Sequence, residues 1–275
     1  MSVRIAGLLM ALLVSSAFGA TQDVAFESHD VMLSGSIALP EGQKPRAALV
    51  FVHGSGKQTR DLALAERFAR AGIAALVYDK RGAGKSGGEY EGQQSVSEQN
   101  ISLLADDAVA ALNALARLPS LDGVPLGFAG ISQAGWIVPI AAQRAKQARF
   151  LLLWSGPVCR VSEEDIYSIY THDTGGRTVP GYAEALASRT EKYIWPDFLG
   201  VDTDPATSLR DLAVPGLWIF SDNDGSIPVD LSIARLKAIR DDGHPFDYAL
   251  FSGLGHDNID VTFDTAVDWI RRNAR

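Results

Sequence analysis

The feature that most narrows the folds open to this chain is a set of short, almost wholly apolar runs that recur between helical patterns. Ala47–Val52, Ile73–Tyr78, Leu126–Ile131, Phe150–Trp154, Leu217–Phe220 and Tyr248–Phe251 are nearly free of polar side chains. A strand wet on one face alternates apolar and polar positions, so a run that is apolar throughout is buried on both faces. Between the runs, Leu64, Phe68 and Ala71, and then Leu104, Ala108, Ala111, Leu112, Leu115 and Leu118, follow the three-and-four spacing of a helix face. Ser95 with Glu98 reads as a capping box ahead of the longer helix. The alternation predicts an α/β fold with a mostly parallel central sheet and helices on both faces. Val24–Ser28 and Val31–Leu39 read as an antiparallel edge pair.

One interval breaks this rhythm. From Pro157 to about Asp211 no strand-like run occurs, while Glu163–Tyr170 and Tyr182–Tyr193 are helix-prone and Tyr167, Tyr170, Tyr182, Tyr193, Trp195 and Phe198 are scattered through it. This predicts a small helical cap at about residues 158–210, inserted before the last two strands and lying over the strand ends, where open α/β sheets bind ligands. Most of its aromatics are expected to form the cap's own core.

Residues 1–19 read as a signal peptide outside the folded domain, which is expected to span 20–275. Arg4 precedes the apolar segment Ile5–Val14, and Ser15-Ser16 leads to the small-residue stretch Ala17-Phe18-Gly19-Ala20. Cleavage after Gly19 is favoured over Ala20, because it sets Ala17 and Gly19 at the positions a signal peptidase reads. The apolar segment is about half the roughly twenty residues needed to cross a bilayer. The expectation is therefore a periplasmic or secreted protein with no stable membrane anchor after cleavage. Cys159 is the only cysteine, so no intramolecular disulfide can form. A net charge of −8 argues against a nucleic-acid partner. Nothing in the charge pattern specifies an oligomer.

Chemistry enters at Gly130-Ile131-Ser132-Gln133-Ala134-Gly135, which follows an apolar run and precedes a helical stretch. In that setting a serine sits on a tight strand-to-helix turn with its hydroxyl exposed. Ala134 stands where the usual pattern has a second glycine, and a serine after a strand is ordinarily a helix cap. A serine nucleophile needs an imidazole to take its proton and a carboxylate to orient that imidazole. Both types follow strand ends downstream, in Ser221-Asp222-Asn223-Asp224-Gly225-Ser226-Ile227-Pro228 and in Ser252-Gly253-Leu254-Gly255-His256-Asp257.

Taken in order, His53-Gly54-Ser55-Gly56, Tyr78-Asp79-Lys80-Arg81-Gly82-Ala83-Gly84-Lys85-Ser86, the Ser132 turn, Asp224 with Ile227-Pro228, and Gly255-His256 resemble the α/β-hydrolase fold serine hydrolases. The resemblance is to the exported bacterial branch related to dienelactone hydrolases, acyl-thioester hydrolases and serine aminopeptidases. It implies Ser132 as nucleophile, His256 as general acid/base and Asp224 as orienting carboxylate, with the backbone N–H groups of Ser55 and Gln133 as the oxyanion hole. Asp222 is a competing carboxylate, and the family spacing to Ile227-Pro228 favours Asp224. His53 is expected to shape its loop outside the proton transfer, and Asp79 to anchor the glycine turn through Arg81. His29, His172 and His244 are expected to be solvated or structural, and Cys159 to pack.

The implied reaction is hydrolysis of a carboxylic ester through an acyl-enzyme on Ser132, with a small-molecule ester or related acyl compound as substrate. The alternatives are a serine aminopeptidase or acyl-thioester hydrolase using the same residues, or a non-catalytic binding module of the same fold. No cofactor and no metal is expected, since no His or Cys pair has ligand spacing. Gly84-Lys85-Ser86 lacks the glycine that a phosphate-binding loop needs five positions earlier, where Asp79 stands.

Overall fold

A computed structural model describes residues 21–92, 95–175 and 179–275. The export-signal reading of residues 1–19 lies outside them. Eight strands form one sheet among the described residues: β1 (Thr21–Ser28), β2 (Val31–Ala38), β3 (Ala47–Val52), β4 (Ile73–Tyr78), β5 (Leu126–Ile131), β6 (Ala148–Trp154), β7 (Gly216–Ser221) and β8 (Phe246–Phe251). Their spatial order is β1-β2-β4-β3-β5-β6-β7-β8. β1 and β2 pair antiparallel, as do β2 and β4, and all later pairs are parallel.

The apolar runs of β3 to β7 are buried on both sides because a strand's side chains alternate between faces; Tyr248–Phe251 is the exception, since β8 is the sheet's edge and Leu250 is 49% exposed there. Ala48, Val50 and Val52 of β3, with Ala74, Leu76 and Tyr78 of β4, join one core layer. Ala47, Leu49, Phe51, Ile73, Ala75 and Val77 join the other. The first layer is covered by α2 (Glu98–Ala116), α3 (Ala134–Arg144) and α7 (Val229–Asp241), and the second by α1 (Leu62–Arg70) and α8 (Ile259–Asn273). Phe68 of α1 meets Phe263 of α8 at a ring separation of 4.8 Å, closing the second layer.

The capping expectation for α2 is corrected. Ser97 is the cap, its hydroxyl accepting the Asn100 N–H at 3.2 Å. Ser95 instead offers its carbonyl to Asn100 Nδ2 and to Gln133 Nε2. Glu98 spends its carboxylate on the Val201 N–H at 2.8 Å rather than on a cap.

The interval between β6 and β7 holds α4 (Val161–Thr171), α5 (Tyr182–Ala187), a short 3₁₀ turn (Asp197–Leu199) and α6 (Pro205–Leu209). α5 stops well short of Tyr193. Tyr193 lies beyond the helix and donates its hydroxyl to Asp165. The aromatics do not form a common core. Tyr167 is fully buried, but Phe198 is 67% exposed and Tyr170 also reaches the surface. Trp195 packs partly against the first core layer and bonds the Gly200 carbonyl. Among the described residues no helix is long and apolar enough to cross a membrane.

Candidate active site

β3 pairs with β4 on one side and β5 on the other, so the chain steps from β3 to β4, crosses back past β3 to β5 and then builds the sheet in the opposite direction. At such a reversal, the loops beyond the carboxyl ends of the two strands splay apart and leave a crevice. Ser55 follows β3 and Ser132 follows β5, which places them on its two lips.

Ser132 is held at φ 56°, a left-handed conformation costly for a side-chain-bearing residue. The surroundings keep it there. Its N–H bonds the Trp154 carbonyl at 3.0 Å, and its carbonyl receives the Gly135 N–H at 2.8 Å as α3 begins. Two glycines make room for the turn. A Cβ at Gly130 would lie 2.5 Å from the Ala134 Cβ, and one at Gly135 would lie 2.5 Å from the Pro157 nitrogen.

His256 Nδ1 lies 3.0 and 2.9 Å from the two carboxylate oxygens of Asp224. Asp224 is fully buried and also accepts the N–H groups of Ser226 at 2.8 Å and Ile227 at 3.2 Å. Burial pulls the His256 pKa down, but hydrogen bonding to Asp224 and the charges of Asp224, Asp257 and Asp173 outweigh it, and the net shift is upward. Asp222 is not brought to the imidazole; it binds the Ser252 hydroxyl at 2.6 Å and the Gly253 N–H at 2.7 Å.

Ser132, His256, His53, Gly54, Ser55 and Phe51 line one cleft of about 420 Å³, within the range of small-molecule sites. The Ser132 hydroxyl and the imidazole are not hydrogen-bonded to each other. Catalytic hydrogen bonds of unliganded sites are commonly long and tighten when substrate arrives. Among the described residues neither the Ser55 nor the Gln133 N–H has a backbone acceptor.

The other sequence candidates are not bonded to His256 or to the Asp224 carboxylate. His53 bonds the Tyr78 carbonyl, and burial drives its pKa down to about 4, so it is neutral at pH 7. The expected Asp79–Arg81 anchor is corrected. Asp79 binds Arg60 and the Lys85 N–H, and although burial raises its pKa, those bonds hold it at about 2. Arg81 is occupied by the fully buried Asp107. His29 pairs with Asp106, and His244 bonds the Leu212 carbonyl. Cys159 is buried, and desolvation pushes its thiol pKa up. Among the described residues no group of three or more His, Cys, Asp or Glu side chains could hold a metal ion.

Several supports of the site went unread in the sequence. Ser155 donates to the His256 carbonyl at 2.7 Å, and Asn258 reaches the Ser155 hydroxyl at 3.0 Å. Tyr167 of α4 donates to the Asp224 carbonyl at 3.2 Å. Ser155 had only its strand-end position as a signal, which many loop serines share. Lys80 carried a clearer one, since a lysine two residues beyond a fully buried strand stands close to the core.

Comparison with known proteins places the molecule. Residues 43–212 match the family described as serine aminopeptidase, S33. The chain belongs to that family of α/β-hydrolase serine hydrolases. The match includes the Ser55 and Ser132 loops and the inserted helices; Asp224 and His256 lie beyond it. A polyketide transferase of Penicillium crustosum is 36% identical over 106 residues, 38% of this chain and 32% of that protein. The chain thus spans about a third or less of the curated relatives it matches. Among solved structures, an acylaminoacyl peptidase of Pyrococcus horikoshii is similar with a TM-score of 0.70 and 18% identity, covering 94% of this chain and 42% of that one. An esterase of Pyrococcus furiosus gives 0.67 at 16% identity, covering 94% and 92%. A dienelactone hydrolase of Anabaena variabilis gives 0.59 at 19%, covering 93% and 99%. At these identities the likeness is one of fold.

Proposed function

We propose that the protein hydrolyses a carboxylic ester of a small molecule through an acyl-enzyme on Ser132. The observation that carries the reading is the meeting of Ser132, strained at the head of α3, with the Asp224-bound His256 in one cleft. His256 takes the Ser132 proton as the hydroxyl oxygen attacks the carbonyl carbon. The negative charge moves to the carbonyl oxygen, to which the N–H groups of Ser55 and Gln133 donate hydrogen bonds; such donors are typically worth about 3 kcal/mol each. His256 returns the proton to the departing alcohol. Water then repeats the cycle on the acyl-enzyme and releases the acid.

Asp224 fixes the tautomer that leaves Nε2 free as the base, and its charge stabilises the imidazolium. The inserted helices contribute Tyr167, which steadies the Asp224 backbone. The amino-terminal pattern supports export to the periplasm or beyond, and amino-terminal sequencing of the exported protein reads the cleavage site directly.

A fluorophosphonate probe and a paired substrate panel test the reaction. The wild type is expected to be labelled and to cleave short-chain p-nitrophenyl esters, with both properties lost in Ser132→Ala. Aminoacyl p-nitroanilides and acyl thioesters are expected to show lower kcat/KM. An unlabelled wild type would leave the binding-module reading, and preference for the anilides or thioesters would move the assignment to an aminopeptidase or thioesterase.

A further inference from the structure

A buried cation behind the cleft has no part in the steps above. Lys80 lies two residues beyond the end of β4 and is 3% exposed. Its Nζ donates to the Gly54 carbonyl at 2.9 Å and to Gln133 Oε1 at 2.8 Å, and it lies 5.9 Å from the centre of the Tyr90 ring. No carboxylate forms an ion pair with it among the described residues. A cation buried on neutral acceptors alone is expensive to keep. Desolvation lowers its pKa to about 8.

Both acceptors belong to the segments that present the two amides of the cleft. The Gly54 carbonyl and the Ser55 N–H are opposite ends of one peptide unit. A positive charge on that carbonyl draws electron density toward it and makes the N–H a stronger donor. On the other lip, the Gln133 side chain is clamped between Lys80 and the Ser95 carbonyl at 2.7 Å, which fixes the residue whose N–H completes the pair.

We propose that Lys80 is a positioning residue that ties the two halves of the oxyanion hole together and, through the Gly54–Ser55 peptide, delivers positive charge to the oxyanion formed on the substrate. The inference rests on the Ser132 reaction proposed above. Lys80 acts through the amides and touches no substrate. Because the oxyanion exists only after attack, removing Lys80 lowers kcat and leaves KM nearly unchanged.

The titratable groups around Lys80 are His53 at the end of β3, Asp79 and Arg81 beside it, and Tyr90 on the loop above. His53 is neutral, Asp79 is bound to Arg60 and the Lys85 amide, and Arg81 is bound to Asp107. Losing the Lys80 proton weakens the hole, so kcat falls as pH rises through its pKa. The acid side of the profile belongs to His256.

The experiment measures kcat and KM for a short-chain p-nitrophenyl ester between about pH 6 and 10 in the wild type, Lys80→Met and Lys80→Arg, with inhibition by an oxyanion-forming trifluoromethyl ketone. Lys80→Met is expected to lower kcat about 10- to 100-fold, weaken the ketone by a similar factor and abolish the alkaline fall. Lys80→Arg is expected to recover part of kcat with the fall displaced upward, since a guanidinium keeps its charge. Lys80→Met with kcat within about threefold of wild type, an unchanged alkaline fall, or a loss confined to KM would overturn the proposal. If Lys80→Met does not fold, the remaining profiles decide. A fall near pH 8 that Lys80→Arg displaces supports the role, and a wild-type kcat flat through that range refutes it. Turnover surviving in Ser132→Ala would refute the parent reading; an inactive Ser132→Ala beside an unaffected Lys80→Met refutes this inference alone.

Discussion

At the residue scale, the division of labour between Asp222 and Asp224 comes from where the chain turns after β7. Asp224 sits inward, with two backbone amides and the imidazole on one carboxylate, whereas Asp222 closes the Ser252-Gly253 turn at the surface. Asp224→Asn is therefore expected to lower kcat by about 10⁴-fold, through loss of the correct tautomer and of charge stabilisation. Asp222→Asn is expected to leave turnover within severalfold of wild type; steady-state kinetics of the two variants compare them directly. The wild-type kcat/KM is expected to rise with pH through a midpoint above 6.5, as the raised imidazole loses its proton. In Asp224→Asn that midpoint moves down, because the charge and charge-assisted bond of Asp224, the largest upward causes, are removed while burial remains. The sequence left both carboxylates open until family spacing was applied. The bonds of Lys80 to Gly54 and Gln133, and of Ser155 to His256 and Asn258, were invisible, because each joins segments far apart in the chain.

At the scale of elements, the buried strands were legible as unbroken apolar runs, and α1 and α2 by the three-and-four spacing of a buried face. Boundaries and caps were less so. Ser95 and Glu98 have the spacing of a capping box, yet Glu98 is drawn to the Val201 N–H and the cap passes to Ser97. Ser97→Ala is expected to cost about 1 kcal/mol. Ser95→Ala is expected to cost under about 0.5 kcal/mol, since only its backbone carbonyl is used; urea unfolding of the two variants separates them. Between β6 and β7 the reading was weakest. Short helices held by side-chain contacts, such as Tyr193 with Asp165, carry little periodicity, and aromatic content there did not translate into burial.

At the scale of the whole molecule, one arrangement organises the rest: strands buried on both faces force a layered sheet, and reversal of strand order at β3 and β5 opens the crevice between their loops. The groups proposed to react come from the ends of three strands, β5, β7 and β8, with the Ser55 amide proposed from a fourth, β3. This is why residues separated by most of the chain meet in one cleft. The proposed activity depends on that convergence, and trapping the covalent intermediate tests it most directly. Acid quenching during turnover of a short-chain ester, followed by intact-mass and peptide mass analysis, is predicted to show one acyl group on the peptide carrying Ser132 and none in Ser132→Ala. Steady turnover with no acylated protein under single-turnover quench, or with the acyl group on another residue, would contradict it.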